Sequence, residues 1–314
     1  MKAFIFPGQG CQIAGMGKEL YKHFPVAREM FERANDFLGR KITEVMFNEE
    51  AESLSETKNT QPAVFIYEVV LALTQSELQP DAVAGHSLGE FAALVVNKTI
   101  SFEDGLNLVS NRATIAQIVC EKYKTAMAAI IGLSDEYIAK RIAEIANESG
   151  EQIYFANYNG PGQVVITGSK NGIRLACKAF KNEGAKKAVP LLIGGSFHSP
   201  YMKDAEIELS KIIDKTSFST PSIPVYQCVD AKPHTDPEEI KENLKKHITH
   251  PVRWTSMVHN MVEDGIATFY EVGTDDTLQK IVARMYPDIT VASLWSIKTY
   301  SKISKKEYNI MGGK

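Results

Sequence analysis

The spacing of apolar and polar positions predicts an α/β protein. Residues 2–6 form a short apolar run that stops at Pro7-Gly8-Gln9-Gly10, which reads as a buried strand entering a glycine loop. Residues 16–47 carry helical spacing, and 48–60 read as a polar, acidic connector. Thr60-Gln61-Pro62 then opens a long apolar helix over 63–78, with Pro62 suited to its first turn. Val83-Ala84 leads as a strand into Gly85-His86-Ser87-Leu88-Gly89, and the run 91–96 is apolar nearly all round, as a central buried helix would be.

Rhythm changes after a helix over 104–121. The segment 126–193 reads as strand 126–131, helix 135–148, strand 152–158, strand 163–167, helix 171–183 and strand 188–193. This β-α-β-β-α-β order is that of a ferredoxin-like module. Strand–helix alternation then resumes, with a helix from 200 to about 215, a strand over 221–229, a helix over 237–247 and a last strand over 268–272. The expected organisation is therefore a large α/β-hydrolase-like domain with a parallel sheet, 1–123 and 194–314, interrupted by a small ferredoxin-like domain, 124–193.

Candidate chemistry starts at Gly85-x-Ser87-x-Gly89. A strand, a tight glycine turn and a helix make a nucleophile elbow, which projects the Ser87 hydroxyl beside backbone N–H groups at the helix start. On the 104–121 helix, at ~100° per residue, Leu108, Val109, Ile115, Ala116, Val119 and Cys120 share one side, and Arg112 lies in its middle. Two readings stay open: an arginine that reaches the rim or pairs with a buried carboxylate, or a guanidinium that clamps an anionic substrate group in two-pronged fashion. His198, in Gly194-Gly195-Ser196-Phe197-His198-Ser199-Pro200, is one of seven histidines, and spacing does not choose among them. The Gly8-x-Gly10 loop is no nucleotide site. Ile13 stands where a dinucleotide fingerprint needs its third glycine, and Gln12 and Glu19 break the phosphate-loop pattern.

Composition narrows the classes. With 314 residues, 44% hydrophobic and 23% charged, the chain can bury a sizeable core. A net charge of −3, with no basic patch interleaved with aromatics, gives no reason to expect nucleic acid as a partner. The apolar run at the N-terminus is too short for a signal peptide, and no stretch approaches the ~18 apolar residues of a membrane span. Cys11, Cys120, Cys177 and Cys228 are widely spaced, so neither a disulfide framework nor a metal site is expected, and they read as free thiols in a reducing cytoplasm. The lysine-rich segment from Ser296 reads as a solvated tail.

Several pieces together resemble one family: Phe6-Pro7-Gly8-Gln9-Gly10-Cys11-Gln12, Thr60-Gln61-Pro62-Ala63, Gly85-His86-Ser87-Leu88-Gly89-Glu90, Arg112, Phe197-His198-Ser199, Pro251-Val252-x-Trp254 and Glu271-Val272-Gly273. The chain is similar, in order from about residue 3 to 285, to the malonyl-CoA:acyl-carrier-protein transacylases of bacterial fatty-acid synthesis. The resemblance implies Ser87 as acyl-accepting nucleophile, His198 as base and Arg112 as partner of the malonyl carboxylate. It further implies the backbone N–H groups of Gln9 and Leu88 as oxyanion hole, and a backbone carbonyl at His247, usually Gln, as the group that orients His198. Leu88 and Phe197 match the malonyl-selective pattern. Cys11 for the usual Ser, and Gly273-Thr274-Asp275-Asp276 for the common G-P-G-K, depart from it. The implied substrates are a coenzyme A thioester and acyl carrier protein, with no resident cofactor, no metal and a monomeric chain. A serine or editing hydrolase shares the elbow and is the alternative, as is malonyl transfer for a polyketide pathway. Carrier proteins are acidic, so Lys178, Lys181, Lys186 and Lys187, or Lys241, Lys245 and Lys246, are candidate docking positions.

Overall fold

The computed structural model describes residues 1–48, 53–75, 77–191 and 195–295. Parts of the expected 48–60 connector, the end of the expected 188–193 strand and the lysine-rich segment from Ser296 lie outside them. The described elements begin with β1 (Lys2–Phe6), α1 (Lys18–His23), α2 (Pro25–Leu38), α3 (Ile42–Phe47), α4 (Thr57–Thr74), β2 (Ala82–Gly85), α5 (Gly89–Val96) and α6 (Phe102–Lys122). Next come β3 (Thr125–Ile131), α7 (Asp135–Ser149), β4 (Ile153–Gly160), β5 (Gln163–Ser169), α8 (Lys170–Asn182) and β6 (Lys187–Pro190). The chain continues through α9 (Lys203–Ile213), β7 (Val225–Tyr226), β8 (Pro233–His234), α10 (Pro237–Lys246), α11 (Trp254–Glu263), β9 (Thr268–Glu271), α12 (Thr277–Met285) and β10 (Thr290–Ser293).

The strands form two sheets. The six-stranded one has the order β10-β9-β1-β2-β7-β8 and is parallel except for the β7–β8 edge pair. Strand period two explains its sandwiching. Phe4, Phe6 and Val83 pack on one face with α4, α5 and α6, while Ala3, Ile5, Ala82 and Ala84 pack on the other with α11 and α12. The four-stranded sheet, order β4-β5-β3-β6, is antiparallel throughout. One of its faces, with Ala128, Ile130, Val164 and Ile166, is covered by α7 and α8. From the other face Met127 and Val165 join Ala116, Val119 and Phe197 in a core that packs this sheet against α6.

Four expectations need correction. The helical stretch 16–47 is three helices. Pro25, with no N–H, starts α2, and Gly39 ends it in the left-handed conformation (φ 61°) while its N–H caps Asn35 and Asp36. Pro62 is not in the first turn, because α4 already begins at Thr57. The carbonyl of Lys58, which Pro62 cannot engage, accepts from Arg40 Nη2 at 3.3 Å instead. The strand expected over 221–229 shrinks to Val225–Tyr226, and the strand at 268–272 is not the last, since β10 follows and pairs with it. Short edge pairings such as these carry little periodic signal.

α4 is buried on nearly every side, and Glu68 lies in it fully buried, with neither carboxylate oxygen hydrogen-bonded among the described residues. Burial, then Glu271 and Asp275, hold its carboxyl well above the usual range. A raised folded value means the native state keeps a proton that the unfolded chain releases above ~4.3. Stability should therefore fall as pH rises from that point toward the folded value. Replacing Glu68 by Leu should raise the unfolding free energy at pH 8 by about 1–3 kcal/mol. The gain should shrink toward pH 4 in urea titrations, and a pH-independent difference would contradict this assignment.

Candidate active site

Ser87 sits at the tip of the β2–α5 turn with φ 53°, in the left-handed region that side chains disfavour. The flanking glycines make that turn possible by contact. A Cβ at Gly85 would overlap the backbone of Gly89 and Glu90, and one at Gly89 would overlap the carbonyls of Phe6 and Pro7. A Cβ at Gly8 would lie 2.8 Å from the His86 carbonyl oxygen, so the β1 loop also packs directly on the elbow. Gln9 lines the same cavity as Leu88, the N-cap of α5, whose N–H has no intrahelical acceptor.

His198 Nε2 lies 2.7 Å from Ser87 Oγ. Its Nδ1 faces the carbonyl oxygens of His247 and His250, each at 3.0 Å. Two carbonyl acceptors fix Nδ1 as the protonated nitrogen and leave Nε2 free to accept from the serine. His198 also has positive φ (61°), and its own N–H donates to Ile248 at 2.9 Å. Burial, then the Arg112 charge, push its imidazole down to about 3, so it is neutral over the ordinary pH range.

Arg112 is 2 % exposed and does not reach the rim. Nη1 donates to Gln61 Oε1 at 2.7 Å and Nη2 to Ser87 Oγ at 3.3 Å, and among the described residues Nε has no hydrogen-bond partner. The Phe197 and Phe91 rings lie 5.3 and 5.9 Å from the guanidinium carbon. Among the described residues no carboxylate stands at ion-pair distance, so the pairing alternative left open by the sequence is not realised. Burial lowers its pKa to about 10, and it remains a cation.

These groups share a cavity of about 320 Å³ lined by Gln9, Ser87, Leu88, Arg112 and His198, and walled by Met127, Ala129 and Val165 of the four-stranded sheet. His247 contributes its carbonyl from behind. Sequence reasoning missed Gln61, the His250 carbonyl and the contact of His86 Nε2 with Asn159 Oδ1 (2.8 Å), which ties the elbow to β4. Gln61 carried a signal only as part of the Thr60-Gln61-Pro62-Ala63 piece of the resemblance, with no role attached to it. A carbonyl acceptor carries none, because every residue has one. Among the described residues only Glu90, Cys228 and His247 group potential metal donors, within 4.8 Å of one another. Glu90 already accepts from Gln227 Nε2 and the Cys228 N–H, and the Cys228 thiol donates to the Gly85 carbonyl. All four cysteines are free.

The acyl transferase domain family matches residues 3–307, and the chain belongs to it. Within that family it is similar to the "Malonyl CoA-acyl carrier protein transacylase" of Bacillus subtilis (strain 168), 37% identical over 285 residues and 90% of each chain. The protein of the same name from Escherichia coli (strain K12) is 37% identical over 295 residues, 93% of this chain and 95% of that one. A solved malonyl-transacylase in complex with a type II PKS acyl-carrier protein superposes with a TM-score of 0.90 at 34% identity, covering 98% of this chain and 99% of that one.

A buried cation with no anionic partner costs stability. Arg112→Met, of similar volume, should unfold at higher denaturant concentration, by about 1–2 kcal/mol, even with Gln61 left unpaired. A less stable Met variant would show that the guanidinium is already compensated.

Proposed function

We propose that this chain moves the malonyl group from malonyl-CoA to the phosphopantetheine thiol of acyl carrier protein through a malonyl ester on Ser87. The observation that carries this reading is the buried, carboxylate-free Arg112 in the same cavity as the Ser87–His198 pair. With Nη1 held by Gln61, the Nε–Nη2 edge remains for a carboxylate, in the side-on fork that guanidinium prefers. A hydrolase acting on uncharged esters has no use for such a group, and the relatives' names favour transfer.

In the first half-reaction the Ser87 hydroxyl passes its proton to His198 Nε2 while Oγ attacks the thioester carbonyl. The oxyanion lies against the N–H groups of Gln9 and Leu88. The intermediate collapses, the carbon–sulfur bond breaks, and coenzyme A leaves with the proton from His198. In the second half His198 takes the proton of the carrier thiol, sulfur attacks the malonyl ester, and Ser87 recovers its proton as the leaving group. The His247 and His250 carbonyls keep His198 in the required tautomer in both halves. Nucleophile, base and clamp are all side chains, so the chemistry calls for no resident cofactor.

The same proposal divides the chain into an α/β-hydrolase-like part, 1–123 and 194–314, and a ferredoxin-like part, 124–193. The largely parallel sheet with its elbow after β2 supports the first. The β-α-β-β-α-β sequence of β3 to β6 and the antiparallel order β4-β5-β3-β6 support the second. For carrier docking, Lys178, Lys181, Lys186 and Lys187 are exposed, whereas Lys245 is engaged by Asp214 and Glu242. The first group is the better candidate. Among the described residues no helix is long and apolar enough to cross a membrane.

Incubation with malonyl-CoA should add one malonyl mass to Ser87, detectable on the intact protein and discharged by phosphopantetheinylated carrier protein. Rapid release of free malonate without carrier would refute transfer. Arg112→Ala should lower malonyl transfer by about 10²-fold or more and relax selectivity toward uncharged acyl groups, as loss of a charged hydrogen-bond pair implies. Unchanged malonyl/acetyl selectivity would remove Arg112 from the clamp.

A further inference from the structure

The hydroxyl of Ser87 is contacted from two sides by groups that carry, or will carry, positive charge. His198 Nε2 stands 2.7 Å from Oγ and Arg112 Nη2 stands 3.3 Å from the same atom. Once His198 accepts a proton, two cations face each other across one oxygen, both removed from water. Like charges at such range disfavour protonation of the weaker base.

The remaining neighbours of His198 do not offset this. His86, from the elbow, is a partly buried imidazole whose charge would add to the repulsion. His250, after α10, offers a carbonyl oxygen. His247 offers its carbonyl and also its ring, edge-on at 5.4 Å, which burial first and then the His198 charge hold well below the usual imidazole range, so it brings no negative charge. Glu90, from α5, stands 3.9 Å from His247 Nε2, behind that ring rather than beside His198. In the empty site the base is therefore held down by burial first, and then by the clamp meant for the substrate.

We propose that the acyl group's own carboxylate switches the base on: paired with Arg112 Nε and Nη2, it cancels the charge that faces His198 and allows His198 to hold the proton taken from Ser87 or from the carrier thiol. The proton path is unchanged, Ser87 Oγ to His198 Nε2 to departing sulfur, and the carboxylate is not consumed. This rests on the malonyl-transfer reading and adds to it a source of selectivity in the chemical step. An uncharged acyl group that enters the cavity meets a base that is still suppressed, so affinity alone does not rescue its transfer.

The test uses Ser87→Ala protein, which binds thioesters without reacting, with ¹³Cε1-labelled histidine. The His198 resonance is assigned by its loss in His198→Gln. Its titration is followed by NMR without ligand, with saturating malonyl-CoA and with saturating acetyl-CoA. The malonyl complex should protonate His198 about one pH unit or more above the acetyl complex. Adding Arg112→Gln should raise the ligand-free titration and abolish the difference between the two thioesters. Coincident titrations in the two complexes, or no titration in either over the folded range, overturn the proposal. Failure of malonyl-CoA to bind this variant, or to acylate the unaltered chain, sinks the transfer reading instead, so the two failures are distinguishable.

Discussion

A positive charge held inside the protein, with no negative partner among the described residues, is the constraint around which this site is built. Arg112 enters from α6 between Phe91 and Phe197, is anchored at Nη1 by Gln61 from α4, and touches the nucleophile through Nη2. Those partners come from three separate parts of the chain: α4, the β2–α5 segment and the loop before α9. The helices around the six-stranded sheet must close tightly to exclude water from the guanidinium, yet leave Arg112 lining the cavity. A surface arginine could bind a carboxylate too, but in water the interaction would be worth little.

The catalytic pair carries a second cost, in the backbone. Ser87 and His198 both adopt left-handed φ, a conformation that packing must enforce. At Ser87 enforcement comes from glycine contacts: Gly85 on Glu90, Gly89 on Phe6 and Pro7, Gly8 on His86. At His198 it comes from hydrogen bonds to Ile248, His247 and His250, which approach from the segment after α10. The four-stranded sheet completes the arrangement without supplying a reacting group. Its Met127, Ala129 and Val165 wall the cavity, and Asn159 holds His86.

Much of this was legible in the sequence because it rested on local pattern. The elbow needs glycines at fixed spacing and a strand before it, and both are visible in Gly85-x-Ser87-x-Gly89. Arg112 stood out as a charge where helical period demanded an apolar residue, although only the folded chain shows that no carboxylate among the described residues meets it. His198 could not be singled out by spacing and entered through family resemblance. What remained hidden depends on distant parts of the chain meeting: the Gln61 anchor, the paired carbonyls on His198 Nδ1, the extra edge strand β10 and a proline tolerated inside α4 because Arg40 satisfies the carbonyl it strands.

The most direct measurement is a crystal structure of the malonyl ester on Ser87, trapped before carrier protein is added. If Arg112 is the clamp, the free carboxylate lies side-on to Nε and Nη2, with Gln61 still on Nη1 and His198 still facing the His247 and His250 carbonyls. A carboxylate turned away from Arg112, toward Asn157 and Asn159 or out to solvent, would contradict the role of the buried charge.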